Sequence, residues 1–352
     1  MPTPTPMHHA ARVEDLFNAA LYEGFRDRWV PTIVAYTGYG APGWVRVMAR
    51  VLLTRPKRDS VPHALRRGWR SFITVPVVGA QVRVQAGGKT HTLVSDRGGY
   101  IDARLECDLP AGWQRVTLRL TPGEHPGVED DPASAVEARV FVIDPATRIG
   151  VVSDVDDTVM VTTLPRALLA AWNTFVLSEN ARRQVTGMSV LYERMRQSHP
   201  DAPFIYVSTG AWNVAPTLSR FLSRNLYPDG PLLLTDWGPT HTAWFRSGQT
   251  HKRRALRRLA EEFPDVRWLL IGDDGQHDPD IYADFARTYP GHVAAVAIRT
   301  LSPTEQLLAS GNPAPMDQAR FVPGTPWVSA PDGAGLWGRL VEVDLEDDSA
   351  VR

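Results

Sequence analysis

The spacing of apolar and polar positions changes character along the chain, beginning with a helical pattern near the start. Residues 12–29 repeat apolar side chains at helical spacing, which predicts an amphipathic helix within an N-terminal segment, residues 1–35. A helix of this kind packs on a core or lies on a membrane surface, and core packing is the more common arrangement. The apolar positions are Val13, Leu16, Phe17, Ala20, Leu21 and Phe25.

Residues 36–147 show a different pattern, in which apolar and polar positions alternate with a period of two. Turn signals such as Gly87-Gly88 and Pro122-Gly123 separate several of these stretches. Short alternating strands of this kind predict an antiparallel β-sandwich. The candidate strands are residues 44–53, 80–86, 90–94, 100–106, 114–120 and 137–143.

Residues 148–310 carry continuous apolar runs that alternate with helical stretches. Strands that are apolar at every position predict a parallel sheet covered by helices on both faces, as in an α/β domain. The remaining residues, 311–352, are rich in Pro and Gly and predict an irregular, partly disordered tail. The candidate parallel strands are residues 149–153, 203–207, 231–234, 267–271 and 293–298, and the clearest helix is 251–263.

Composition narrows the choice of compartment and partner. The chain has 352 residues with 38 basic and 39 acidic side chains, so no overall charge attracts nucleic acid. The single cysteine, Cys107, excludes an internal disulfide and a multi-cysteine zinc site, and fits a buried structural role in a reducing, cytoplasmic setting. No uncharged apolar run reaches about 18 residues, so we expect any membrane contact to be peripheral.

Polar residues stand where the candidate parallel strands end, which is where ligands bind in open α/β sheets. Carboxylates, a hydroxyl and an ammonium brought together at one sheet edge suit magnesium-assisted phosphoryl transfer. The metal offsets the repulsion between carboxylates and phosphate, and fixed donors hold the phosphoryl oxygens. The residues concerned are Asp154, Asp156, Ser208, Lys252, Asp273, Asp274 and Asp278.

These residues also carry a family resemblance. The DVDDT stretch at residues 154–158 matches the DxDxT signature of haloacid-dehalogenase superfamily phosphatases, and the later residues match the remaining motifs in order. SDVDDT, YVSTGAWNVAP, GPLLLTDWGP and LLIGDDGQHDPDIYA are similar to the actin-patch-associated, magnesium-dependent phosphatidate phosphatase family and its bacterial relatives. The similarity covers residues 148–300 and extends to YTGYGAPGWVRVMARVL at 36–52, while SDRGGYIDARL resembles prealbumin-like sandwiches. The predicted fold is therefore a Rossmann-like haloacid-dehalogenase sheet with a small helical insert, preceded by a prealbumin- or immunoglobulin-like β-sandwich.

The resemblance implies a role for each motif. Asp154 would be the nucleophile, and Asp156 would protonate the leaving group, later activate water, and bind Mg²⁺ through its backbone carbonyl. Ser208, with Thr209, would hold phosphoryl oxygens, and Lys252 would offset negative charge. Thr158 would brace the loop through a side chain–backbone hydrogen bond.

The same resemblance implies the metal ligands. Asp154 and Asp273 would bind Mg²⁺, and Asp278 or Asp274 would complete the coordination. The family has a serine where this chain has Asp274, so the ligand set stays open.

Each motif taken alone has a structural alternative. The aspartates could form a solvated acidic turn, Lys252 could lie on a solvated helix face, and Ser208 could be an ordinary strand-end serine. Asp278, followed by Pro279, could cap a helix. The occurrence of four motifs in order favours catalysis.

The resulting hypothesis is a phosphatase that hydrolyses phosphatidate to diacylglycerol and phosphate through an aspartyl-phosphate, with possible peripheral membrane contact. Two alternatives stay open: a phosphatase of soluble phosphoesters, and a non-catalytic adaptor whose acids only hold metal. The basic stretch 55–70 is either a lipid-facing surface or a solvated loop. The aromatic residues that either contact lipid or pack structurally are Trp172, Phe175, Trp212 and Trp237.

Overall fold

The fold is known from a computed structural model of the chain. It describes residues 22, 24–25, 29–55, 75–122, 134–161, 183–235, 241–275, 277–310 and 322–345, and excludes the side chains of 241–247 and 307–310. Most of the predicted N-terminal helix, the basic stretch beyond Arg55, and Trp172, Phe175 and Trp237 lie outside these residues. The chain divides into two compact units: the first is Met1–Asp144 with Asp236–His241, and the second is Pro145–Thr235 with Thr242–Arg352.

The described residues of the first unit form eight strands, and every strand pair among them except one is antiparallel. Hydrogen bonds connect them in the order β3-β2-β1-β8-β7-β4-β5, with β6 on β2, and β1 runs parallel to β8. The six predicted strands are all present. Hydrogen bonds connect all eight strands into one sheet, so the two separate sheets expected of a sandwich are not seen. The strands are β1 (Val30–Ala41), β2 (Trp44–Thr54), β3 (Val75–Pro76), β4 (Gln81–Ala86), β5 (Lys89–Val94), β6 (Tyr100–Glu106), β7 (Gly112–Leu120) and β8 (Val136–Val142).

Strand β1 was not predicted, because glycines interrupt its alternation of apolar and polar positions. At Gly38 and Gly40 the backbone of β2 lies so close that an added Cβ would stand 2.2 Å and 2.4 Å from the carbonyl oxygens of Arg46 and Trp44. The register of β1 against β2 also shifts between Tyr36 and Tyr39. Close backbone approach and a bulge are the usual reasons for glycine in a strand.

The second unit is built on a parallel sheet, as predicted, and its described residues form six strands rather than the five expected. Its order is β13-β12-β9-β14-β15-β16, and every pair is parallel. Strands β9, β14 and β15 are buried at every position, which explains their uninterrupted apolar sequences. The strands are β9 (Ile149–Asp154), β12 (Phe204–Ala211), β13 (Leu232–Thr235), β14 (Arg267–Asp273), β15 (Val293–Arg299) and β16 (Trp327–Ala330).

Helices and a two-stranded antiparallel sheet complete the described part of the second unit. That sheet pairs β10 (Met160–Val161) with β11 (Arg183–Gln184); the predicted helical insert falls between them, outside the described residues. Within the described residues no helix combines the length and apolar character needed to cross a bilayer. The helices are α1 (Met188–Ser198), α2 (Ala215–Arg224), α3 (His241–Glu262), α4 (Asp278–Thr288), α5 (Pro303–Ser310) and α6 (Gly333–Leu340).

The prediction of an irregular tail after residue 311 is wrong for part of that stretch. Strand β16 extends the parallel sheet beside β15, and α6 follows it. The Asp332 side chain caps α6 by accepting a hydrogen bond from the Gly335 N–H at 2.8 Å. The four-residue strand lies between Pro326 and Pro331 and is too short for its periodicity to show.

Candidate active site

Three buried carboxylates meet at the carboxyl edge of the parallel sheet. Asp154 ends β9, Asp273 ends β14, and Asp278 is the first residue of α4. An oxygen atom from each lies within 4.8 Å of the others, and each residue is at most 1% exposed. The ends of two neighbouring strands thus bring Asp154 and Asp273 together, although they are more than a hundred residues apart in the sequence.

Lys252 lies among these acids and is itself buried. Its Nζ atom is 2.7 Å from Asp154 Oδ1 and 2.5 Å from Asp278 Oδ1. Burial alone would lower the pKa of Lys252, but the two carboxylates outweigh it and raise this pKa above its ordinary value. The side chain therefore stays an ammonium, and the structural alternative of a solvated basic face is wrong for this lysine.

The acid cluster can carry more negative charge than Lys252 alone balances. Burial raises the pKa of Asp154 well above its ordinary value, and Lys252 opposes that effect. Burial, together with Asp278 and Asp154, likewise raises the pKa of Asp273. Three carboxylates face one ammonium, so full ionisation would leave two negative charges without a counter-charge.

The unsatisfied oxygen atoms fit a divalent cation. Oδ2 of Asp154, Asp273 and Asp278 is buried in each case and has no hydrogen-bond partner among the described residues. Buried polar atoms normally have partners, and an unpartnered oxygen indicates an unseen ligand or ion. Carboxylate oxygens are the ligands of hard cations such as Mg²⁺ and Ca²⁺. The donor set therefore fits such an ion and does not by itself choose between them.

Asp156 and Ser208 form a second polar pair beside the acid cluster. Ser208 Oγ donates to Asp156 Oδ2 at 2.9 Å, and the Gly210 N–H donates to Ser208 Oγ at 2.9 Å. Burial raises the pKa of Asp156 to about 6, although the hydrogen bond from Ser208 lowers it. Asp156 Oδ1 has no hydrogen-bond partner within the described part of the chain.

Thr209 follows Ser208 on strand β12 and lies beside α3. A Cβ added to Gly248 would stand 2.9 Å from the Thr209 methyl carbon, so the helix backbone passes directly beside this side chain. The Thr209 carbonyl accepts a hydrogen bond from Thr235 Oγ1 at 3.0 Å. Ser208 and Thr209 are therefore fixed by neighbouring strands and by α3.

The remaining predicted residues take different positions. Asp274 accepts from the Leu301 N–H at 2.8 Å and from Gln306 Nε2 at 3.3 Å, and it is not part of the three-carboxylate cluster. Asp278 does not cap α4, because His277 occupies the cap position and makes no side-chain cap bond. Thr158 is buried without a hydrogen bond from Oγ1 to any described residue, so its predicted brace is absent.

Two supporting features were missed from the sequence. Arg299, at the end of β15, is buried and donates from Nη1 to the Asp157 carbonyl at 2.7 Å. The second feature lies on β9, where the Tyr192 hydroxyl contacts Ser153 Oγ. Ser153 Oγ in turn donates a hydrogen bond to the Asp154 carbonyl at 2.6 Å. A charged residue closing the apolar run VAAVAIR was the available signal for Arg299; no sequence pattern marked Tyr192.

A buried carboxylate cluster with a paired lysine, at the carboxyl edge of a parallel α/β sheet, defines a candidate metal-assisted catalytic site. Residues 149–300 match the family model described as phosphatidate phosphatase APP1, catalytic domain. The sequence resemblance to the phosphatidate phosphatase family over residues 148–300 is thereby confirmed.

Individual relatives agree with the family match. The chain is 25% identical over 155 residues to phosphatidate phosphatase APP1 of Saccharomyces cerevisiae, covering 44% of this chain and 26% of that protein. It is 27% identical over 172 residues to an uncharacterized protein of Schizosaccharomyces pombe, covering 49% of this chain and 28% of that protein. The chain thus spans about a quarter of the length of these relatives.

Solved structures add little. A carbohydrate acetylesterase from Xanthomonas citri overlaps 80% of this chain and 76% of its own, with a TM-score of 0.27 and 11% identity. A likeness of that size carries no conclusion about fold or activity.

Proposed function

We propose that residues 148–310 form a magnesium-dependent phosphatase of the haloacid-dehalogenase type, which hydrolyses phosphatidate or a related lipid phosphate. The observation that carries this proposal is the buried group of Asp154, Asp273, Asp278 and Lys252 at the carboxyl edge of the parallel sheet. The family match over 149–300 supports the reaction class. The substrate comes from the name of the yeast relative.

Asp154 is the proposed nucleophile. Its carboxylate forms a bond to phosphorus while the bond between phosphorus and the leaving glycerol oxygen breaks, giving an aspartyl-phosphate. The contact with Lys252 Nζ and the hydrogen bond to the Asp154 backbone carbonyl hold this residue in one orientation. A carboxylate needs positioning rather than a general base, and the geometry supplies that.

Asp156 is the proposed proton carrier. It gives a proton to the departing alkoxide, then takes one from the water that attacks phosphorus and releases phosphate and free Asp154. Its position two residues after the nucleophile, with Oδ1 unpartnered and Oδ2 held by Ser208, supports this role. The hydrogen bond from Ser208 fixes the carboxyl group for both transfers.

The proposed ion-binding residues are Asp154, Asp273 and Asp278, with the backbone carbonyl of Asp156 added by the family resemblance. A bound Mg²⁺ supplies positive charge that offsets the negative charge of the phosphoryl group. Lys252 adds a fixed cation, and Ser208 and Thr209 add donors for phosphoryl oxygens. Asp274 is not included, since its carboxylate is engaged by Leu301 and Gln306.

We propose further that the first unit is a β-sandwich in which β1 passes from one layer to the other. Apolar side chains of β2 and β6 share one core with those of β4, β7 and β8. Strands from both ends of the hydrogen-bonded order can face a common core only when the sheet folds over on itself. For the whole protein we propose a cytoplasmic location with peripheral membrane contact.

The test uses the purified full chain with Mg²⁺ and two substrates: phosphatidate in mixed micelles and a water-soluble phosphate monoester. We expect phosphate release from micelles, with a rate that rises with the surface fraction of phosphatidate. Equal rates on soluble ester and micelle would reject the lipid assignment and leave a soluble phosphatase. Absence of turnover with either substrate would leave only the metal-holding adaptor.

Asp154→Asn provides the first variant, with Asp102→Asn as its matched control. Asp102 is an acidic residue of the first unit, and its carboxylate pairs with Arg46 at 2.7 Å. It is outside the parallel sheet that carries the candidate active site. We expect Asp154→Asn to lower turnover by roughly 10⁴-fold or more with the fold intact, and Asp102→Asn to retain wild-type turnover. An active Asp154→Asn enzyme would refute the nucleophile assignment.

A further inference from the structure

The loop after the nucleophile contains an unfavourable backbone conformation. Asp157 has φ +57°, and in the described residues Leu226 is the other non-glycine residue with positive φ. Such a conformation is unfavourable for a residue other than glycine and persists when surrounding contacts hold it. The loop is closed by hydrogen bonds from the Asp157 N–H to the Met160 carbonyl at 2.8 Å and from the Met160 N–H to the Val155 carbonyl at 3.1 Å.

Arg299 connects this loop to two later segments of the chain. Its Nη1 donates to the Asp157 carbonyl at 2.7 Å and its Nη2 to Glu305 Oε1 at 2.7 Å. Its Nε donates to the Pro331 carbonyl at 3.2 Å. All three nitrogen atoms of the guanidinium group are therefore engaged, and two of the partners lie after residue 300, where the family match ends.

The same region also holds the loop that follows Asp273. Strand pairing places Asp273 opposite Arg299, and the Asp274 N–H donates to the Arg299 carbonyl at 3.1 Å. The Asp274 carboxylate accepts from the Leu301 N–H. Arg299 and the residues just after it thus contact both loops that follow the catalytic carboxylates.

We propose that Arg299 is a positioning residue that holds the Asp157 peptide in its left-handed conformation, and so fixes the direction of Asp156. The inference rests on the proposed function for its catalytic consequence, but the loop geometry is independent of it. Lysine cannot replace this arginine, because a planar fork reaches the Asp157 carbonyl, Glu305 and Pro331 together while an ammonium cannot. Glu305 supports the arrangement by fixing the guanidinium plane.

Arg267 offers a matched control within the same sheet. It is a buried arginine on β14, 8% exposed compared with 6% for Arg299, and its Nη2 contacts the Val293 carbonyl at 3.5 Å. It stands at the beginning of β14, whereas the site lies at the strand's carboxyl end. Substitution of Arg267 therefore removes a buried guanidinium without touching the loop at Asp157.

Hydrogen exchange tests the positioning role without reference to activity. In Arg299→Gln we expect exchange at the Asp157 and Met160 amides to accelerate at least tenfold relative to wild type, with β9 amides such as Val152 unchanged. In Arg267→Gln the loop amides should exchange at the wild-type rate. Glu305→Gln, at a more exposed position, should accelerate the same loop amides to a smaller degree, and it serves if Arg299→Gln fails to fold.

Kinetics tests the catalytic consequence in the same variants. We expect Arg299→Gln and Arg299→Lys to lower kcat by about 10- to 100-fold with KM changed less than threefold, and Arg267→Gln to retain kcat. Unchanged loop exchange in the Arg299 and Glu305 variants, or an equal effect from Arg267→Gln, would overturn the inference. If wild type turns over no phosphoester while Arg299→Gln still loosens the loop, the proposed function fails and the positioning role of Arg299 stands.

Discussion

One ion pair in each unit shows two opposite environments for charge. In the first unit Arg115 lies 3.4 Å from Glu137, with side chains 73% and 63% exposed. In the second unit Lys252 contacts Asp154 and Asp278 with all three side chains nearly excluded from solvent. Exposed pairs of this kind contribute little, because water and salt screen them, whereas a buried charge depends strongly on its partners. The exposed pair therefore contributes little to stability, whereas the buried pair is part of the candidate active site.

The largest expected effect comes from breaking the buried pair. Lys252→Met leaves the three carboxylates without their cation, and removal of one partner of a buried pair typically costs about 3–5 kcal/mol. We expect a loss of that size in the free energy of unfolding, measured by denaturant titration in the presence of a chelator. A loss below about 1 kcal/mol would show that the carboxylates are protonated in the metal-free protein and do not need the lysine.

A half-buried histidine beside this lysine predicts an acid-dependent loss of stability. Burial, together with Arg258, Arg254 and Lys252, lowers the pKa of His251 from 6.5 to about 4, although its hydrogen bond with the Leu233 carbonyl at 3.1 Å opposes the shift. The unfolded chain therefore takes up a proton before the folded one does, so the stabilisation is complete above pH 6.5 and is lost as pH falls toward 4. A difference of this size corresponds to about 3 kcal/mol.

The measurement compares unfolding at pH 7 and pH 4.5 in wild type and in His251→Gln, which keeps a side-chain donor for Leu233. Wild type should lose more stability than the variant over this interval. Equal losses in the two proteins would mean that His251 is protonated in the folded state or solvated enough to titrate normally.

Metal binding should stabilise the second unit. A divalent ion at about 100 times its dissociation constant adds about 2.7 kcal/mol to the free energy of unfolding. We expect Mg²⁺ to raise the melting temperature, a chelator to reverse the change, and Asp273→Asn to abolish it. Asp274→Asn is the control, because Asp274 lies outside the carboxylate cluster and should leave the metal response intact; equal loss in both variants would return Asp274 to the ligand set.

The smallest effect belongs to the exposed pair. Arg115→Met should change the free energy of unfolding by less than about 0.5 kcal/mol, since one well-solvated partner is removed and the other stays solvated. The same denaturant titration measures it. A cost comparable to that of Lys252→Met would mean that solvent exposure does not explain the difference in stability expected between the two ion pairs.

Much of the architecture could be predicted because burial leaves a mark on sequence. Continuous apolar runs predicted the parallel strands β9, β14 and β15, and alternation predicted most of the first unit's strands. Strand β1 was missed where glycines admit close backbone contact. Strand β16 was missed because its four residues, WVSA, show neither a period nor a continuous apolar run. Local patterns record which face of an element is buried, and they do not record how closely another backbone approaches.

The candidate site was predicted with similar limits. The order of the motifs and their places at strand ends indicated Asp154, Asp156, Ser208, Lys252, Asp273 and Asp278 as residues to be brought together, and the structure brings them together. Asp274 could not be separated from its neighbours by sequence, because adjacent residues at a strand end point in different directions that only the following loop fixes. Arg299 was missed because its partners at 157, 305 and 331 are distant in the chain.

The amino-acid sequence by itself determined the parallel α/β sheet, its polar strand ends and the resemblance of residues 149–300 to one phosphatase family. These follow from apolar periodicity and from short motifs, which are local properties of the chain. Tertiary structure decided which carboxylates share one buried space, that Lys252 is their counter-charge, and that Arg299 reaches the loop after the nucleophile. Charge–charge energies depend on distance and on exclusion of water, and both are set only when separate segments pack together.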